Sequence, residues 1–187
     1  MIIALSGTPG TGKTSTAKLL NDCNIINLNR LIKDHKLYTG VDHKRDSFIA
    51  DQKKIQKKIN HEMQNINRGN SNNTIIIEGH LSHKLENIDA VIVLRCHPSI
   101  LKKRLEERGY SKSKIKENID AEALDIILSE AAQVCEQVYE INTTRNTVQQ
   151  TQEQVEEIIK NIQENKQMPV RYFPGTIDWI EEVNSST

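Results

Sequence analysis

Long apolar runs are missing from this chain. No stretch approaches the roughly 20 residues needed to cross a bilayer, so no membrane span is expected. Cysteine is scarce: Cys23, Cys96 and Cys135 are odd in number, far apart and never spaced C-x-x-C, which argues against a disulfide framework and a thiolate zinc site. They read as small apolar residues. Aromatics are few, and Tyr172, Phe173 and Trp179 crowd into one short segment near the end. Net charge is absent as well, but unevenly so: residues 33–58 carry eight Lys/Arg against four Asp/Glu, residues 95–116 eight against two, and residues 117–187 four against fourteen. Two basic segments beside an acidic remainder suit an anion-binding cleft, and a nucleic-acid surface could look the same. The opening "MIIALSG" lacks a basic leader and runs straight into a Gly/Thr/Pro turn, so it reads as a first strand, and the expected location is the cytoplasm.

What is present is an alternation. At 187 residues the chain suits one domain that buries about 70% of its unfolded surface. Apolar, β-branched runs at 2–6, 25–28, 74–78, 90–95 and 138–142 predict strands too continuously apolar to have a wet face. Between them, Ile55, Ile59, Met63 and Ile66 make one helical stripe ending near Gly69. A second helix starts at Pro98 and Ser99 and runs to Gly109. A third carries Ile119, Ala123, Ile126, Ile127, Ala131 and Val134. A last one from about Thr147 places Val148, Val155, Ile158, Ile159 and Ile162 on one side. Strands alternating with helices predict an α/β three-layer domain over residues 1–167 with a parallel sheet. Residues 68–74, "RGNSNNT", form a polar turn. Residues 168–187 are a tail that packs on its own domain or docks a partner.

The most informative stretch is "GTPGTGKT", Gly7 to Thr14, which satisfies G-x-x-x-x-G-K-[ST] directly after a strand and before a helix. Its glycines let main-chain N–H groups converge on phosphate oxygens, with Gly10 and Gly12 as close-approach positions. Lys13 reaches the β and γ phosphates, the Thr14 hydroxyl suits Mg²⁺, and Ser15 is placed for the α phosphate. No Asp precedes a glycine by three residues, and "NKQM" lacks the aspartate of N-K-x-D, which argues against a GTP switch, and the size fits a small kinase better.

In a parallel sheet of this type the strand beside the first delivers a carboxylate to the magnesium's water shell, and Glu78, closing "IIIEGH", holds that place. His80 could orient or deprotonate a water aimed at the γ phosphate, or touch a phosphate itself. With His83 it also spells H-x-x-H, but two histidines without a third ligand make a poor metal site, and His83 reads as a buried or capping histidine. Arg104 and Arg108, four apart beside a lysine-rich stretch, supply the charge stabilisation on which phosphoryl transfer depends.

The P-loop, "NRLIKDHKLYTGVDHKRDSFIAD", the acid-x-His of "IIIEGH", "VIVLR" and "LEERGYSKSKIKENIDAEAL" resemble, in order and spacing, the adenylate kinase isoenzyme 6 family of nucleoside monophosphate kinases over about residues 1–165. The resemblance implies a five-stranded parallel sheet, an acceptor-binding region near residues 28–51 that includes Lys33 and Asp51, and a short lid near 108–118. It implies Mg²⁺-dependent transfer of the ATP γ-phosphate to AMP or another monophosphate, ATPase activity, and a role in small-ribosomal-subunit maturation through a platform ribosomal protein. An ATP-driven assembly factor with incidental kinase turnover is the alternative, and direct RNA binding stays open. Gly10, Gly12, Lys13, Thr14, Ser15 and Arg108 match the ATP contacts, Glu78 and His80 the catalytic pair, and Arg104 the adenine-stacking arginine. Where the family often has Asp stands Glu78, and where arginine is common stands Lys33, which lacks the bidentate fork and implies weaker acceptor binding. The closing "IDWIEE" is similar to the endings of archaeal members.

Overall fold

In the computed structural model, residues 1–42, 47–69 and 74–180 are described. Most of the polar turn at 68–74, the middle of the acceptor segment and the last seven residues of the tail lie outside the described residues. The elements run β1 (Ile2–Ser6), α1 (Lys13–Ala17), β2 (Cys23–Asn27), α2 (Leu28–Asp34), β3 (Tyr38–Asp42), β4 (Ser47–Ala50), α3 (Gln52–Gly69), β5 (Thr74–Glu78), β6 (Ala90–Arg95), α4 (Pro98–Glu107), α5 (Lys112–Ala123), α6 (Ile126–Val134), β7 (Val138–Asn142) and α7 (Val148–Gln163). Five strands form one parallel sheet in the order β2-β5-β1-β6-β7, and β3 pairs antiparallel with β4 in a separate two-stranded sheet.

The apolar strands are covered on both faces, and alternation sorts their side chains. Ile3, Leu5, Ile76, Ile92 and Leu94 pack with Val155 and Ile158 of α7. Ile75 and Ile77 turn to α3, meeting Ile55, Ile59 and Met63, while Ala4, Val91 and Val93 meet Leu128 and Ala131 of α6. Each fully buried isoleucine here contributes about 1.5–3 kcal/mol relative to exposure, which explains why continuous β-branched runs can occupy the central strands.

Four local expectations change. The second strand spans Cys23–Asn27 and stops before Leu28, because the Asn27 side chain accepts the Arg30 N–H and caps α2. The long third helix is two helices: Asp125 adopts φ 54°, beside a buried Arg95 that draws in the Glu122 carbonyl and the Asp125 carboxylate. The stripe breaks there, leaving Ile126 and Val134 exposed. Val148 is exposed too, being the first helical residue after the Thr147 capping box. The hairpin β3–β4 was not foreseen; Tyr38 stacks on Phe48 with ring centroids 4.3 Å apart.

The tail returns to its own domain. Tyr172 is buried and donates to Glu157, and the N–H groups of Thr176 and Ile177 donate to Glu140 of β7 at 2.7 and 3.0 Å. No helix among the described residues is long and apolar enough to cross a membrane.

Candidate functional site

A cavity of about 730 Å³ opens at the carboxyl ends of the strands, where ligands sit in parallel α/β sheets. The turn between β1 and α1 forms its floor. Gly10 has φ 97°, which favours glycine, and a Cβ there would lie 2.8 Å from a terminal methyl of Leu101 of α4, which would have to shift to admit it. A Cβ at Gly12 meets no atom within 4 Å; its φ of 101° is what favours glycine there, at the start of α1. Lys13 is buried, and its ammonium donates to the Gly7 and Thr8 carbonyls at 2.6 and 2.9 Å. Burial lowers its pKa to about 8 against the opposing pull of Glu78 and Glu122.

The chain places the Glu78 carboxylate beside this turn by register: Glu78 of β5 lies opposite Leu5 of β1 on one side and Asn27 of β2 on the other. It accepts the Thr14 hydroxyl, whose Oγ1 is 3.1 and 3.2 Å from its two oxygens, and the Asn27 side-chain amide. Burial pushes the Glu78 pKa up. Gly79 follows because a Cβ there would come within 2.9 Å of the Leu28 Cβ, and this close passage delivers His80 into the cavity wall. Desolvation, with Lys13 and other nearby cations, lowers the His80 pKa to about 4. His83 also borders the cavity but is fixed between the Ser6 hydroxyl (2.9 Å) and Glu130 (2.8 Å).

Thr14, Ser15 and Arg108 line the cavity, as do Lys84, Lys114 and Tyr110, so cations outnumber its two carboxylates, Glu117 and Glu130. Other residues named from sequence lie apart. Arg104 does not line the cavity; it donates to the Thr143 carbonyl at 2.9 Å and the Gly10 carbonyl at 3.4 Å, bracing the turn against the loop after β7. Arg95, counted in the second basic segment, is not cleft-facing: it is 1% exposed and bound to Glu122, Asp125 and Glu140. Lys33 is exposed on α2. Asp51 caps α3, accepting the Lys54 N–H at 3.1 Å and pairing with its ammonium at 3.2 Å. Sequence reading missed Asn27 and the Lys84–Glu130 pair at 3.0 Å; an Asn three residues before Arg30 at a strand end was the available capping signal. Among the described residues no group of three or more His, Cys, Asp or Glu side chains is arranged to hold a metal.

A parallel sheet in this order with a G-x-x-x-x-G-K-T turn under its carboxyl edge defines a P-loop nucleotide-binding protein of the kinase-like class. Residues 3–125 match the family model described as "AAA domain". The chain is 46% identical over 187 residues to a Methanosarcina acetivorans protein named "Putative adenylate kinase", covering 98% of this chain and 100% of that one. A Methanocaldococcus jannaschii protein of the same name is 41% identical, covering 97% and 94%. Similar folds occur in shikimate kinase from Bacteroides thetaiotaomicron (TM-score 0.57, 18% identity, 86% of this chain and 98% of that one). They occur also in thymidylate kinase from Candida albicans (TM-score 0.54, 13% identity, 92% and 96%). The chain belongs to the adenylate-kinase-like family of P-loop proteins that these archaeal relatives represent.

Proposed function

We propose that this protein is a nucleoside monophosphate kinase that transfers the terminal phosphoryl group of ATP reversibly to AMP or another monophosphate. The observation that carries this reading is the cavity: the Lys13 turn, Arg108, Lys84 and Lys114 line it together with the neutral His80. It offers four cationic groups to phosphates, as a reaction governed by charge stabilisation requires. The Thr14 hydroxyl and the buried Glu78 carboxylate are adjacent hard oxygen groups that fit Mg²⁺, Thr14 as a ligand and Glu78 through a water of the ion's shell, because Mg²⁺ keeps waters and phosphates as its other ligands. When bound, the ion screens phosphate charge.

The chain's own residues do the rest. Lys13 and the main-chain N–H groups of the turn hold the β and γ phosphates, and Ser15 holds the α phosphate. Arg104, spanning the turn and Thr143, takes the adenine end. Arg108, where α4 meets the proposed lid at 108–118, neutralises charge as transfer proceeds. Lys33 and Asp51 belong to the acceptor side, on segments flanking the hairpin. A nucleotide phosphate is already an anion, so no strong base is needed for transfer. His80, neutral at pH 7 by its lowered pKa, orients water when water is the acceptor, which gives ATPase activity. The family resemblance further supports a cytoplasmic role in small-ribosomal-subunit maturation, and the fourteen acidic residues against four basic ones after position 116 suit a basic platform protein as partner.

The test is ATP consumption measured alone, with each monophosphate, and with purified small-subunit platform proteins. Strongest acceleration by a monophosphate, with diphosphate formed from it, supports the kinase. Acceleration by a platform protein alone supports an ATP-driven assembly factor, and a rate unmoved by any monophosphate rejects the kinase reading.

A further inference from the structure

Glu122 lies on α5, whose Lys114, Glu117, Asn118 and Ala121 line the cavity, yet it is only 3% exposed and points into the protein. One carboxylate oxygen accepts the hydroxyl of Thr8, inside the phosphate-binding turn, at 2.5 Å. The other accepts Arg95 Nε at 2.9 Å and the Cys96 N–H at 3.0 Å. Arg95 already has the Asp125 and Glu140 carboxylates, so charge balance does not call for a third. What Glu122 adds is the contact with Thr8. That residue holds the turn together: its carbonyl receives the Lys13 ammonium at 2.9 Å, the Thr11 N–H at 3.2 Å and the Thr11 hydroxyl at 2.9 Å. The Glu122 carboxylate therefore joins the turn after β1, the end of β6 and the wall helix α5 at one point.

We propose that Glu122 is a positioning residue for the phosphate end of the cavity: by holding Thr8 it fixes the carbonyls that seat Lys13 and ties the turn to α5. The inference rests on the kinase reading for its ligand. Affinity for ATP then depends on a side chain that touches no nucleotide, and affinity for the acceptor does not.

Two variants test it. Thr8→Val removes the hydroxyl at nearly constant shape and leaves Glu122 its bonds to Arg95 and Cys96. Glu122→Asp keeps the charge beside Arg95 and withdraws the carboxylate from Thr8 by one methylene. In calorimetry each should raise the MgATP Kd roughly tenfold, the size of one charge-assisted hydrogen bond, while the acceptor KM moves less than about twofold. The double variant should bind no worse than about twofold beyond the weaker single one, because Thr8→Val has already removed the contact through which Glu122 reaches the turn. A purely structural role would lower the urea midpoint and leave the MgATP Kd of folded protein unchanged, and that result overturns the proposal; so do losses that multiply. Should Glu122→Asp fail to fold, the Thr8→Val Kd alone decides. If the wild-type protein itself takes up no MgATP, the kinase reading fails first and the positioning role with it.

Discussion

Lys13 and Glu78 are almost wholly buried, Lys13 held by two carbonyls of its own turn and Glu78 by Thr14 and Asn27, whereas Lys33 stands exposed and Asp51 is occupied in capping a helix. The first pair sits at the edge of the central sheet, where register against β1 and β2 fixes the Glu78 backbone. The second pair flanks a two-stranded hairpin outside that sheet, with Val41, Phe48 and Ile49 partly in solvent. The contrast teaches where preorganisation resides. The Lys13–Glu78 end is built into the core and held in one geometry by its packing, while the hairpin end has fewer buried groups to hold one geometry. Substitutions in the two regions should therefore differ in kind as well as in size.

The largest expected effect is at Lys13. Lys13→Ala should lower phosphoryl transfer by roughly 10²–10³, as loss of a preorganised cationic donor does; steady-state turnover within a few-fold of wild type would break the comparison at its stronger side. Next, Glu78→Gln should cost roughly 10–100-fold in kcat at limiting Mg²⁺, and a Mg²⁺ titration separates this from a folding defect, because saturating metal should recover part of the loss. His80→Ala should depress ATP hydrolysis by roughly tenfold or more while AMP phosphorylation changes only a few-fold; equal loss of both rejects the water-orienting role.

A smaller effect is on stability against pH. Burial lowers the proton affinity of His80 and His83 in the folded protein below the ordinary 6.5. The unfolded chain therefore binds more protons over the window from about pH 6.5 down to 4, and stability should be full above that window and fall as pH drops through it. Urea midpoints measured across it should show a shallower fall in His80→Gln than in wild type. Smallest of all are changes at the hairpin side: Lys33→Ala should raise the acceptor KM about threefold or less, as expected of one exposed charge, without moving ATP affinity. Asp51→Ala should lower the thermal unfolding midpoint slightly through its lost helix cap and raise the acceptor KM by no more than Lys33→Ala does, with ATP affinity unmoved.

The same contrast governs what the sequence disclosed. The placement of the Lys13 turn, Glu78 and His80 near one another could be read directly because it depends on local features: a glycine-rich turn, a β-branched strand ending in an acid, and a fixed interval between acid and histidine. The sheet was legible for the same reason, since uninterrupted apolar runs require cover on both faces. Arg95 was misassigned because its role is set by Glu122, Asp125 and Glu140, each 27 or more residues away. No local pattern distinguishes a buried guanidinium from a cleft-lining one. The break at Asp125 was hidden for a related reason: the apolar period continues across it, and Arg95 is what captures the Glu122 carbonyl and the Asp125 side chain there. The hairpin β3–β4 was obscured by the shortness of its strands, five and four residues, the first of them interrupted by Gly40; the Tyr38–Phe48 stack across them adds to their pairing.

Titration of MgATP into folded wild-type protein tests most directly whether the turn around Lys13 seats a triphosphate. The account predicts saturable binding at one site per chain, abolished in Lys13→Ala, while that variant keeps the wild-type circular dichroism spectrum. Folded wild-type protein that releases no heat of binding and protects no nucleotide, or a Lys13→Ala variant that binds as tightly as wild type, would contradict it.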